Sequence, residues 1–339
     1  MSELTEGLRW TVYDANTMTQ GEIYGQVLCD LAAQIPTIVG LSADLARSTK
    51  IGALAKAFPD RFFNVGIAEQ NLFGVAAGMA KSGLIPFVST FSAFATMRAG
   101  EFLRTDICYQ RLNCKIIATH GGTSFGPAGT THHATEDLAI TRSMANLVLI
   151  VPADGRETAN AVKACVHWDG PVYIRIGRGF EPLVYEKDDY GFEIGKAIEM
   201  RPGTDITIVA AGVSVYHAVQ ASDLLAKEDG ISCRVLNLHT LKPIDKEAIL
   251  KAVLETRRLV TFEDHNIIGG VGTAVAEVIA ESGKGCAFER VGIPDEYSMI
   301  GYPEDIQSHY KIDTDGIMEK VRGVLGRDFE EDEDWEDEV

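Results

Sequence analysis

An acidic residue and two amides, Glu69, Gln70 and Asn71, stand in the stretch "FFNVGIAEQNLFGVAAGMAKSG", residues 62–83, where an extended apolar run turns into an apolar helix. A carboxyl in a first helical turn has a simple explanation, because acids there complement the positive end of the helix macrodipole. The setting adds a second. Phe62, Phe63, Val65 and Ile67 precede it and Leu72, Phe73, Val75 and Ala76 follow, so both flanking elements are expected to be buried. An unpaired carboxyl in such a place stays protonated and can donate a hydrogen bond, a state useful in catalysis.

Three further groups could do chemistry. Phe91 and Phe94, in "PFVSTFSAFATMR", have the spacing of core aromatics, yet they follow a strand ending in Ser89 and Thr90. At the C-terminal end of a sheet strand they could face a cleft and suit a flat heteroaromatic ring. His120, His132 and His133 lie in a long glycine- and threonine-rich loop, "ATHGGTSFGPAGTTHHATED". Their spacing fits none of the familiar zinc patterns; a metal remains open, and binding of an anionic or polyhydroxy substrate with proton shuttling is the better match. Arg175 and Arg178, in "VYIRIGRG", are either solvated surface cations or bidentate holders of phosphate or sulfonate. A fourth feature, "EDHNIIGGVGTAVAE", reads as tight-turn and helix-packing glycines (Gly269, Gly270, Gly272) rather than a phosphate loop.

These groups need a scaffold, and the sequence supplies one. The β-like runs "TIVGLSA", "RFFNVGI", "LIPFVSTF", "CKIIATHGG", "LVLIVPAD" and "VYIRIGRG" alternate with helical segments, including residues 21–34 and 154–170. That alternation is the signature of a parallel, doubly wound sheet. A charged, turn-rich stretch follows, read as a connection with a short strand pair, and then the pattern restarts at "DITIVAAG" and runs through "ISCRVLNLHTL" and "RLVTFEDH". The expected organisation is α/β, with two doubly wound domains over residues 1–190 and 191–327 and an acidic disordered tail over 328–339.

With 339 residues and a net charge of −18, the chain can bury two cores but is a poor partner for nucleic acid or anionic membrane. The six cysteines show no CxxC spacing and read as buried free thiols. No run approaches the roughly 20 apolar residues of a membrane span, and the start "MSELTEGLRW" lacks a signal pattern, so a cytoplasmic protein is expected.

Taken in order and at these spacings, "GIAEQN", "STFSAF", "ATHGG", "GTTHH", "PADG" and "RIGRG" resemble the C-terminal half of thiamine diphosphate enzymes of the transketolase family. The resemblance implies a pyrimidine-binding domain followed by the family's C-terminal domain. It also implies that Glu69 hydrogen-bonds the N1′ nitrogen of the aminopyrimidine, driving the imino form that generates the ylid, while Phe91 and Phe94 stack on that ring; Met97 stands where a third aromatic is usual. By the same resemblance His120 and His132 line the substrate channel and relay protons, Ser48 and Arg175 (with Arg178 beside it) grip the anionic end of a sugar, and Asp44 lies near the cofactor at an interface between protomers.

Two departures shape the expected function. Ala128 stands where the family carries an aspartate that reads the acceptor's carbon-2 hydroxyl, which points away from ordinary pentose phosphates toward a deoxy, sulfo or branched sugar. No "GDG" turn is present to hold Mg²⁺ and the diphosphate. The resemblance therefore implies a separately encoded N-terminal transketolase subunit that supplies them, in an α₂β₂ heterotetramer transferring a two-carbon ketol unit from a ketose to an aldose. The alternatives are a decarboxylating relative (half of a 1-deoxyxylulose-5-phosphate synthase, or the β subunit of a 2-oxo acid dehydrogenase) and a non-catalytic binding subunit.

Overall fold

The computed structural model describes residues 14–179 and 181–326; the run expected to form an acidic tail over 328–339 lies outside the described residues. All six apolar runs of the first half form strands: β1 (Ile38–Ser42), β2 (Phe62–Asn64), β3 (Ile85–Phe91), β4 (Lys115–Thr119), β5 (Val148–Ile150) and β6 (Val172–Arg175). Between and before them lie α1 (Gln20–Gln34), α2 (Gly52–Ala57), α3 (Glu69–Lys81), α4 (Gly100–Phe102), α5 (Asp137–Ser143) and α6 (Gly155–Cys165). The strands pair in parallel in the order β5-β6-β4-β3-β1-β2. β1, β4 and β6 are buried along their whole length, as unalternating apolar strands covered on both faces should be. Local signals set the helix starts. Thr19 and Glu22 form a capping box at α1, and the Asp154 carboxylate accepts from the Glu157 N–H at α6.

The second half contains β7 (Ile198–Arg201), β8 (Ile206–Ala210), α7 (Ser214–Glu228), β9 (Cys233–Asn237), β10 (Thr240–Lys242), α8 (Lys246–Thr256), β11 (Arg258–Asn266), α9 (Val271–Ser282), β12 (Ala287–Ile293), α10 (Pro303–His309) and α11 (Thr314–Leu325). Its sheet has the order β12-β11-β8-β9-β7 and is parallel except at the β7 edge. Two expectations need correction. The connecting stretch holds one strand, β7, which pairs antiparallel to β9 instead of with a neighbour of its own. The run "ISCRVLNLHTL" is divided: β9 stays in the second sheet, while β10 crosses over and adds an antiparallel edge beside β5 in the first.

That crossing joins the two domains, which share a core. One contiguous cluster of buried side chains runs from Leu72 and Phe73 under α3, through Ile116 and Tyr173, to Leu236, Leu241, Ile249 and Val275 of the second half. A buried polar knot reinforces the junction. The Glu157 carboxylate accepts from Asn237 Nδ2 at 2.9 and 3.0 Å, Tyr185 Oη at 2.8 Å, Tyr190 Oη at 3.2 Å and the Ala153 N–H at 2.6 Å. Burial pushes the carboxyl of Glu157 upward, and these donors oppose the shift.

At the "GGVG" turn, Glu263 accepts from the N–H groups of Val271 and Gly272 at 2.6 and 2.9 Å. A Cβ at Gly270 would overlap the Glu263 carboxylate, so the glycines permit close approach of the chain's own acid to the start of α9. Four of the six cysteines are buried and two are half-buried, all as free thiols. Among the described residues no helix is long and apolar enough to cross a membrane.

Glu157→Ala would leave an amide, two phenols and a backbone N–H without their acceptor at the domain junction. The expected cost is about 2–4 kcal/mol. Urea unfolding followed by intrinsic fluorescence measures it, with an earlier midpoint for the variant.

Candidate active site

Glu69 is the first residue of α3, follows the non-helical Ala68, and is only 3% exposed. The strand before it is not buried as expected. β2 is the edge of its sheet, with Phe63 39% exposed, and Ile67 in the turn that follows is 78% exposed. Nor is the carboxyl unpaired: Arg98 Nη1 lies 3.0 Å from Glu69 Oε1. Burial makes an unpaired acid the natural expectation, but a cation 29 residues along the chain supplies the partner.

Arg98 reaches that position because the chain after β3 winds as a π-helical turn, Phe94–Arg98. Such widened turns recur at functional sites. The Arg98 guanidinium carbon sits 3.7 Å from the centroid of the Phe94 ring. A flat, nitrogen-rich group thus has one edge on Glu69 and one face on Phe94. Sequence reasoning misses Arg98; its place four residues after Phe94 is the available signal.

The aromatics and histidines come together. Phe91 and Phe94 have ring centroids 5.3 Å apart, His120 lies 3.9 Å from Phe91, and His132 lies 5.4 Å from Phe94. Phe125, also missed in the sequence, closes the box at 4.7 Å from His120 and 5.3 Å from His132. His120 follows β4 in a left-handed conformation, φ 60°, with Nδ1 2.8 Å from Thr119 Oγ1. Burial, with Arg178 and His132 adding to it, pushes its pKa down to about 3, so the imidazole is neutral at ordinary pH. His132 is half-buried at the rim, whereas His133 is buried between Ser298 Oγ and the Gly126 carbonyl, a fixture of the loop.

The two arginines separate. Arg178 is exposed, with its guanidinium carbon 5.0 Å from the Phe125 centroid, and can meet an anion at the mouth of the box. Arg175 is only 7% exposed; its Nε donates to Asp137 Oδ2 (3.1 Å) and its Nη2 to the carbonyls of Ala134 (3.1 Å) and Asp264 (2.8 Å). Nε and Nη2 of Arg175 thus face acceptors of the protein itself, and Asp137 matches its charge. Asp44, at φ 61°, is exposed and exchanges hydrogen bonds with Asn64. Ser48 is exposed further along the same loop after β1. Leu45, between them, packs on the Phe91–Phe94 cluster. Ala128 lies in a short 3₁₀ turn, Gly126–Ala128, of the histidine loop. No group of acids, histidines and cysteines among the described residues could hold a metal ion.

A depressed histidine stabilises the fold above its unfolded pKa of about 6.5, and this contribution is lost as pH falls from there toward about 3. His120→Asn should therefore flatten the decline in stability on acidification, read as the difference in urea midpoint between about pH 7 and about pH 5. The ring protons of His120 should not titrate over that interval by NMR.

The chain matches two family descriptions: "transketolase, pyrimidine binding domain" over residues 16–180 and "transketolase, C-terminal domain" over residues 195–317. It is 42% identical to a putative transketolase C-terminal section of Methanocaldococcus jannaschii, over 88% of this chain and 93% of that one. It is 41% identical to one of the subunits of an apulose-4-phosphate transketolase of Phocaeicola vulgatus, over 87% and 93%. Among solved structures it superposes with a TM-score of 0.82 on a split-gene transketolase described as an inactive beta4 tetramer, 42% identical, covering 91% of this chain and 98% of that one. The chain belongs to the transketolase family, and it matches most of the length of a relative described as a transketolase C-terminal section.

Proposed function

We propose that the chain is the C-terminal subunit of a split transketolase that transfers a two-carbon ketol unit from a ketose to an aldose, working with an N-terminal subunit that holds Mg²⁺ and the cofactor's diphosphate. The observation that carries this reading is the slot between Glu69 and Phe94, where a flat N–H donor already rests in the form of the Arg98 guanidinium. An aminopyrimidine has the same attributes, a stacking face and a polar nitrogen edge, so the residues fit thiamine diphosphate. When bound, the cofactor supplies the nucleophilic carbon and electron sink that ketol transfer requires.

The chain's own residues then have distinct tasks. Glu69 holds the N1′ edge of the pyrimidine by a hydrogen bond, and Phe91 and Phe94 receive its face. The buried, neutral His120 accepts a hydrogen bond from a sugar hydroxyl, a role closed to an imidazolium. His132, at the rim, holds and relays protons on the substrate side. Arg178 and Ser48 take the anionic end of the sugar, phosphate or sulfonate. Asp44 faces the cofactor side where the two subunits meet.

The partner is supported by the exposed surface around the half-site. Ile67 is 78% and Met97 57% exposed, although they flank a buried carboxyl and the aromatic box. Apolar side chains there suit coverage by another chain, and an α₂β₂ arrangement has the twofold symmetry usual for such enzymes. The inactive beta4 state of the structural relative agrees with a chain that lacks part of the site. Ala128, and the apulose-4-phosphate activity named for the relative from Phocaeicola vulgatus, support a modified sugar as substrate.

Glu69→Gln in the reconstituted pair should lower ketol transfer more than about 100-fold while leaving the native mass of the assembly unchanged. Unaltered turnover would overturn the mechanism. Ile67→Asp should weaken, about tenfold or more, assembly with the N-terminal subunit, measured by sedimentation across a concentration series.

A further inference from the structure

The histidine loop is held at its neck and along its returning arm by the second domain. At the neck, Gly122 and Ala134 pair as an isolated antiparallel bridge, which closes residues 122–134 into a loop. The Asp264 carboxylate, from β11, enters there and accepts from the Thr123 N–H at 3.0 and 3.2 Å and from Thr123 Oγ1 at 2.9 Å. Gly122 has φ 58°, and a Cβ on it would overlap the Asp264 carboxylate, so the approach depends on glycine. Arg175 reinforces the same point, since its Nη2 donates both to Ala134 on the loop and to the Asp264 carbonyl.

The returning arm of the loop is tied as well. Thr130 Oγ1 donates to the Ser298 carbonyl at 2.7 Å, and His133 Nδ1 lies 2.7 Å from Ser298 Oγ. Both partners belong to the segment between β12 and α10. His120 lies two residues before Gly122 and His132 two residues before Ala134, so both substrate-facing histidines flank a neck that is anchored to the other domain.

We propose that Asp264 and Arg175 are positioning residues through which the C-terminal domain sets the histidine loop, and with it the enzyme's hold on the acceptor sugar. The kinetic consequence rests on the ketol-transfer reading above; the mechanical one does not. Aligning His120 and His132 requires the neck to be fixed to within a fraction of an ångström. A carboxylate accepting three hydrogen bonds at an otherwise glycine-rich turn provides that fixation. Arg175 thereby has a reason to be buried at the end of β6: its planar fork spans the loop carbonyl, the β11 carbonyl and Asp137 at once.

The test compares the wild-type chain with Asp264→Asn and the milder Thr123→Val, each alone and assembled with the N-terminal subunit. Amide hydrogen exchange in residues 121–134 should speed up about fivefold or more in Asp264→Asn, with the remaining strands of the first domain unchanged. In the assembled enzyme the KM for the acceptor aldose should rise about fivefold or more, while the affinity for thiamine diphosphate stays within about twofold. Thr123→Val should move both readouts in the same direction by less. If exchange changes evenly through both domains, or the melting temperature falls with the KM and the loop's exchange untouched, Asp264 has only a structural role and the proposal fails. If the wild-type pair shows no ketol transfer, the functional reading fails, and exchange in the loop still decides whether the clamp exists.

Discussion

The guanidinium of Arg175 is removed from water at the end of a central strand, and a buried cation is tolerated only when an acid and hydrogen-bond acceptors answer its charge. The answers come from three places: the Asp137 carboxylate at the start of α5, the Ala134 carbonyl at the neck of the histidine loop and the Asp264 carbonyl on β11 of the second domain. Meeting one electrostatic requirement therefore fixes a helix, a loop and a domain relative to one another. The shared apolar core beneath supplies the bulk of the stabilisation, and the polar contacts select one arrangement of it. Glu157, with its amide and phenol donors, plays a corresponding part between α6 and β9.

Much of this is legible in the sequence where the information is local. Unalternating apolar runs mark the parallel strands, and Thr19, Asp154, Asp245 and Asp313 mark helix starts by capping them. The site residues that follow strand ends, Phe91, Phe94 and His120, are legible for the same reason. What escapes depends on distant partners. Arg98 meets Glu69 across 29 residues, and Asp264 meets Thr123 across 141. No periodicity records such pairs. Arg175 reads as a phosphate-gripping arginine because its type and position suit that task, and only the fold discloses that its Nε and Nη2 meet Asp137, Ala134 and Asp264. The division of "ISCRVLNLHTL" between two sheets is hidden because β9 and β10 are both apolar and only tertiary pairing tells them apart.

The half-site leaves its own requirement unmet. A buried glutamate and an aromatic box would ordinarily sit behind apolar cover, yet Ile67 and Met97 beside them are open to solvent, and Arg98 occupies the gap from the solvent side with 47% of its side chain exposed. An arginine is well suited to such a place. Its planar group satisfies the carboxylate and the ring face together, and its flexible stem lets it leave at modest cost when a better-fitting ring arrives. The chain thus presents, between Glu69 and Phe94, a slot that is enclosed from one side only.

The central claim is that this chain provides the pyrimidine half of a thiamine diphosphate site and needs a second subunit for the rest. Isothermal titration of thiamine diphosphate in the presence of Mg²⁺, first into the chain alone and then into its mixture with the N-terminal subunit, addresses it directly. The account predicts no measurable binding by the chain alone and binding at about micromolar affinity, one cofactor per chain, in the mixture. Micromolar binding by the isolated chain would contradict it.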